Sequence, residues 1–199
     1  MYYPGQLNND NFRKLWISDL LIGFAANIEV LIIPWVIITK TNSGLILGTY
    51  GAVRYFSTVF APGIGGVING FNKKHTLILS RTYMFIHSLI FMLLSFQDIL
   101  SVTIIIVISF FYGMAHNFDR ISREALTQII ISKANLRNAT ALISITYDFS
   151  KIIAPLLGAT IYSLYGFTIA YILVGILYLL AVFVVFAVKI NNIIKEKLN

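Results

Sequence analysis

Long apolar runs, each close to the length that crosses a bilayer and most of them interrupted by charge, leave this chain few ways to fold. A transmembrane helix needs about 20 mostly apolar residues. Stretches of that kind cover about 15–38, 44–68, 76–94, 100–121, 139–164 and 168–188. In hydrocarbon every backbone N–H and C=O must be satisfied within its own segment, so runs of this length read as helices. Of the 199 residues, 58% are hydrophobic and 12% charged; soluble domains average about 45–50% and about 25%. The expectation is an all-α integral membrane protein, six transmembrane helices in a single domain over 1–199, with no room for a soluble module.

The connections alternate in charge. Arg13 and Lys14 precede the first run, Lys73 and Lys74 lie between the second and third, and Arg123, Lys133 and Arg137 follow the fourth. Lys189, Lys195 and Lys197 follow the sixth, whereas Lys40 is the one basic residue on the opposite side. Basic loops stay in the cytoplasm, which places both termini there. The same rule accounts for the net charge of +7 without nucleic acid. The N-terminal stretch lacks the pattern of a cleaved signal peptide, so the first run is expected to be retained. The connection 122–138 mixes apolar and basic residues, as a short helix lying on the cytoplasmic interface does. Tyr2, Tyr3, Trp16, Trp35 and Tyr165 fall near span ends and read as interfacial anchors. No cysteine is present and His75, His87 and His116 lack ligand spacing, so neither metal nor cofactor is expected.

Ionisable residues inside spans are expensive and mark functional sites by default. Asp19 and Glu29 lie in the first span, Arg54 in the second, Arg81 and His87 in the third. His116, Asp119, Arg120 and Arg123 share one side of the fourth, and Asp148 and Lys151 lie in the fifth. Depth pairs Glu29 with Arg54 and Asp148 with Lys151. A polar interior built from Glu29, Asn27, Arg54, His87, His116, Asp148 and Lys151 suggests a solute path. Asp19, Arg81, Asp119 and Arg120 sit close enough to the cytoplasmic side to snorkel or to make gating contacts. Arg54, Thr58, Ala61, Gly65 and Asn69 form a stripe expected to pack closely or line a cavity.

The chain resembles the N-terminal half of a major facilitator superfamily transporter, and within it the drug and siderophore exporter branch. NFRKLW opens the first span and IPWVIITKTNS closes it like that branch's LPW…TGS segment. GAVRYFSTVFAPGIGGVINGFNKK resembles its second span and loop motif, and FYGMAHNFDRISREAL its fourth span, with Arg123 on a typical basic position. The fifth span resembles the antiporter motif, with Ala141, Ser150, Ala154, Pro155, Gly158 and Ala159 at its small-residue and proline positions. The loop motif keeps Gly65, Lys73 and Lys74 but has Asn69 and Gly70 where an Asp-Arg pair is usual. Arg81 replaces a commonly acidic residue, and Ala26 a frequent Asp.

The resemblance implies one six-helix half of a twelve-span fold whose halves are related by an axis along the membrane normal. It implies a parallel homodimer or a separately encoded second half, with the Ser150–Ala154–Gly158 stripe as the expected contact. It further implies proton-coupled efflux, by antiport, of a small amphipathic or drug-like solute across the plasma membrane. Glu29 or Asp148 is the expected proton carrier, since a desolvated carboxylate holds its proton unless a cation offsets it. The competing reading is a non-transporting, truncated or regulatory membrane subunit. No HExxH, GxSxG or catalytic Asp pair supplies an enzyme.

Overall fold

The computed structural model describes residues 8–60, 63, 66 and 71–189. Gly65, Asn69, Tyr2 and Tyr3 lie outside the described residues, as do Ala61, Lys195 and Lys197. Among the described residues there are five α-helices and no strand. Helix α1 spans Asp10–Thr41, α2 Gly44–Phe56, α3 Lys73–Phe96, α4 Val102–Ile130 and α5 Lys133–Phe186; a 3-10 turn, Ser57–Phe60, continues α2. Four of them, α1, α3, α4 and α5, are long and apolar enough to cross a membrane.

Local chemistry sets these boundaries. Asn9 caps α1, its Oδ1 accepting from the amides of Asn11 and Phe12, each at 3.1 Å. Asp10 in the first turn pairs with Arg13 and Lys14. Asn42 ends the helix in the left-handed region (φ 48°), its N–H returning to the Ile38 carbonyl. Ser43, Asn72 and Ser101 cap α2, α3 and α4 through their side chains.

At 54 residues α5 would run about 80 Å if straight, far beyond a bilayer's about 30 Å. It is broken at Gly166 (φ 80°, ψ −178°), a region essentially reserved for glycine. The break folds α5 into two arms, 133–165 and 167–186. The proof is where they land. A Cβ on Gly158 would sit 2.9 Å from Ile28, whereas Tyr178 reaches Glu29, the next residue of α1. In one straight helix positions 158 and 178 would lie about 30 Å apart. Both arms therefore flank α1, which is the central element and lies most extensively against α5.

One apolar core runs through the middle, from Ile28, Ile32 and Ile33 to Met84, Phe91, Tyr112, Val174 and Tyr178. A second, smaller one joins Phe12, Leu15, Leu77, Leu126, Ile130 and Val185. The latter corrects the expectation for 122–138. No separate interfacial helix forms there: α4 continues to Ile130, and only Ile131 and Ser132 precede α5. Leu126 and Ile130 recur on α4's buried face, so this turn packs on α1 instead of lying flat.

Candidate functional site

Among the fully buried ionisable groups is Glu29. Its side chain is fully buried near the middle of α1, where a lone carboxylate would be very costly. Three elements supply partners. Tyr178 of α5 donates to Oε2 at 3.2 Å, Arg54 of α2 approaches the same oxygen at 3.9 Å, and His87 Nδ1 of α3 lies 3.4 Å from Oε1. Arg54 is held by Tyr50, accepting its Nη1 at 2.7 Å, and by the Tyr112 ring, 4.5 Å beneath its guanidinium. Tyr112 also shares a 3.0 Å hydrogen bond with Tyr178 and lies tilted against the His87 ring, centroids 4.9 Å apart. Glu29 thus lies between Arg54 of α2 and His87 of α3. The Arg54 contact lies at the outer limit of an ion pair, and neither His87 nitrogen completes a hydrogen bond among the described residues.

A second cluster ties the end of the bundle carrying Arg13 and Lys14. Arg81 is fully buried, bonded through Nε to Asp119 at 2.7 Å and through Nη2 to Asp19 at 2.5 Å. Its Nη1 donates to Ser18, whose hydroxyl donates onward to the Ala181 carbonyl at 2.6 Å. Arg123 faces the other Asp19 oxygen at 3.9 Å. Arg81 therefore does not snorkel. Two carboxylates on α1 and α4 compensate it so fully that burial outcompetes a reach for water.

Between the two clusters the bundle surface opens into two small adjoining clefts. Asn27, Arg54, Tyr112 and Asn117 line the first, Asp19, Asp119, Arg120 and Arg123 the second, and His116 and Tyr147 both. Asn27 is fixed at the wall by donating to Ser150 (3.0 Å) and to the Gly23 carbonyl (2.8 Å). Asn117 likewise donates to Ser57 at 3.1 Å. A positively charged residue, two amides and aromatic rims at mid-depth can hold a small solute with both polar and apolar surface.

Other expected residues fall elsewhere. Asp148 and Lys151 pair within one turn at 3.1 Å but are 69% and 52% exposed, away from the buried network. Arg120 contacts Glu124 at 3.8 Å on the surface. Lys73 stands in the first turn of α3, and Lys74 donates to the Phe186 carbonyl at 3.0 Å. Ser150, Ala154 and Gly158 are buried, while Ala141 and Ala159 are exposed and Pro155 half-buried. That stripe is not a free surface, which corrects its expected role as a contact with a second copy. A Cβ on Gly23 would press on Ser150 Oγ at 2.9 Å and one on Gly158 on Ile28, so the small residues let α5 close on α1. Trp16 is also no simple anchor, since its indole N–H donates to Thr146 at 2.9 Å; Trp35 and Tyr165 remain exposed.

Tyr50, Tyr112, Tyr178 and Ser18 were not singled out from sequence. Tyrosines inside apolar spans carry a visible signal, a hydroxyl that needs a partner, and Tyr50 stands one turn before Arg54. A family model described as transmembrane secretion effector, a major facilitator family, matches residues 4–199. No curated protein matches the chain.

Proposed function

The chain belongs to the transmembrane secretion effector family of major facilitator transporters, and on that premise we propose that it is a secondary transporter that exports a small amphipathic, drug-like solute in exchange for protons. In this reading the membrane is the plasma membrane, both termini are cytoplasmic, and the bundle crosses six times, with α5 supplying two crossings. A second bundle of the same kind completes the solute path.

One observation carries the reading: a fully buried carboxylate, Glu29, shares its charge with Arg54, and Arg54 lines a cleft open to the outside of the bundle. Protonating Glu29 leaves Arg54 without its counter-ion, and the cleft becomes more positive. A cationic amphipathic solute is then expelled, so proton and solute exclude one another, as antiport requires. The word secretion in the family's description agrees with outward movement. Asp148 lies off this network on an exposed face, which supports Glu29 over it as the proposed proton carrier.

The test is dye efflux from proteoliposomes with and without a pH gradient. Glu29→Gln is expected to abolish the acceleration by the gradient, and Asp148→Asn to leave it in place. Gradient-driven efflux that survives Glu29→Gln would end the assignment.

A further inference from the structure

The two oxygens of the Glu29 carboxylate have different surroundings. Oε2 faces Arg54 at 3.9 Å and accepts from Tyr178 at 3.2 Å, on the side of the cleft that Arg54 lines. Oε1 has no hydrogen-bond partner among the described residues, and opposite it stands Nδ1 of His87, 3.4 Å away. Both side chains are buried, and neither ring nitrogen of His87 has a partner among the described residues. The ring is wedged between Phe91 and Tyr112, whose centroids lie 4.4 and 4.9 Å from its own. Neither Glu29 nor His87 lines the two clefts. The other titratable or charged groups on the elements packed about His87 are Tyr50 and Arg54 of α2, Tyr112 and His116 of α4, and Tyr171 and Tyr178 of α5. None of them bonds Oε1 or the imidazole.

We propose that Glu29 and His87 form the joint seat of one proton, shared between Oε1 and Nδ1. Buried polar atoms left unbonded are costly, and a single added proton answers that cost here. A neutral imidazole carries one ring N–H, an imidazolium two. Whichever nitrogen bears the hydrogen beforehand, the added proton leaves an Nδ1–H that donates to Oε1. No bond changes except those to hydrogen, and Glu29, His87 and Arg54 together go from neutral to a single positive charge. The carboxylate then answers the new proton, and Arg54 loses its counter-ion. Proton and solute are thereby kept on opposite sides of one carboxylate, the proton toward α3 and the solute toward α2 and α4. Arg54 is the group that meets both, facing Glu29 and lining the cleft. Use of this proton in exchange rests on the transport reading; the joint seat itself does not.

Two measurements on the purified chain test it. The first needs no transport. The chain has three histidines, so isotope-labelled imidazoles are assigned by the magnetic resonance signal lost in His75→Gln and the one lost in His116→Gln. As the pH is lowered, the remaining imidazole, His87, is expected to show an Nδ1–H protected from exchange with water, and Glu29→Gln to abolish that protection. The wild-type signal is decisive even where a variant of the pair does not fold. The second measurement is dye binding. Lowering the pH is expected to weaken it about tenfold or more in the wild type, within the usual range for coupled sites. His87→Gln, Glu29→Gln and the double variant are expected to flatten that dependence equally, because one shared seat is lost in each; two independent seats would add. The proposal falls if His87 shows no protected N–H at any pH at which the protein stays folded, or if Glu29→Gln leaves it in place. It falls equally if His87→Gln keeps the pH dependence that Glu29→Gln removes. A protected N–H that behaves as expected, with wild-type dye binding indifferent to pH, upholds the joint seat and ends the antiport reading.

Discussion

Arg81 is the residue on which the end of the bundle depends most. Its guanidinium answers two buried carboxylates from different helices, so removing it takes away the ion pair of Asp119 and leaves Asp19 only Arg123 at 3.9 Å. Breaking a buried pair in this way costs about 3–5 kcal/mol. Arg81→Met is expected to destabilise the purified protein by that order in denaturant titration. Adding Asp19→Asn and Asp119→Asn to it restores most of the loss, because no charge is then left alone. At this scale the chemistry was partly legible. Counting residues from span ends matched Glu29 with Arg54 in depth, and they face each other. Depth says nothing about azimuth, however. It could not show that His87 and Tyr178 complete the same site, nor that Asp19, Arg81 and Asp119 converge from three helices.

Two glycines decide how the elements meet. A Cβ on Gly113 of α4 would collide with the backbone carbonyl of Arg54, so α2 approaches α4 only because that position has no side chain. Gly113→Ala is expected to cost about 1–3 kcal/mol through overpacking and to displace Arg54 from the Tyr112 face. Gly166→Ala, with open space around it but φ at 80°, costs a similar about 1–3 kcal/mol through backbone strain alone. Comparing the unfolding of the two variants with dye binding separates these causes, since only Gly113→Ala should alter the cleft. Apolar run length made α1, α3, α4 and α5 predictable, but the second run, expected over 44–68, gives a helix of only 13 residues, Gly44–Phe56, and the behaviour of 122–138 did not follow from it either. Mixed apolar and basic residues fit an interfacial helix and a helix end equally well. The choice was made by contact with Phe12 and Leu15, more than a hundred residues away. The fifth-span stripe taught the same lesson: small residues marked a close contact without naming its partner, which proved to be α1.

For the whole molecule, alternating loop charge predicts a sidedness that single cysteines can read. Asn42→Cys, at the exposed end of α1, is expected to react with an impermeant maleimide added to intact cells. Ser132→Cys, between α4 and α5, is expected to react only after permeabilisation. The reverse pattern would invert the proposed orientation. The bundle is also cross-braced along its length. Arg81 binds α1 to α3 and α4 at one end, Tyr178 joins α5 to α1 at the centre, and Lys40 donates to the Leu100 carbonyl at 2.7 Å at the other. A body braced at three levels moves as a lever. Helix α1, 32 residues, is about 48 Å long, so a rocking of about 10° about one end would carry the other through about 8 Å.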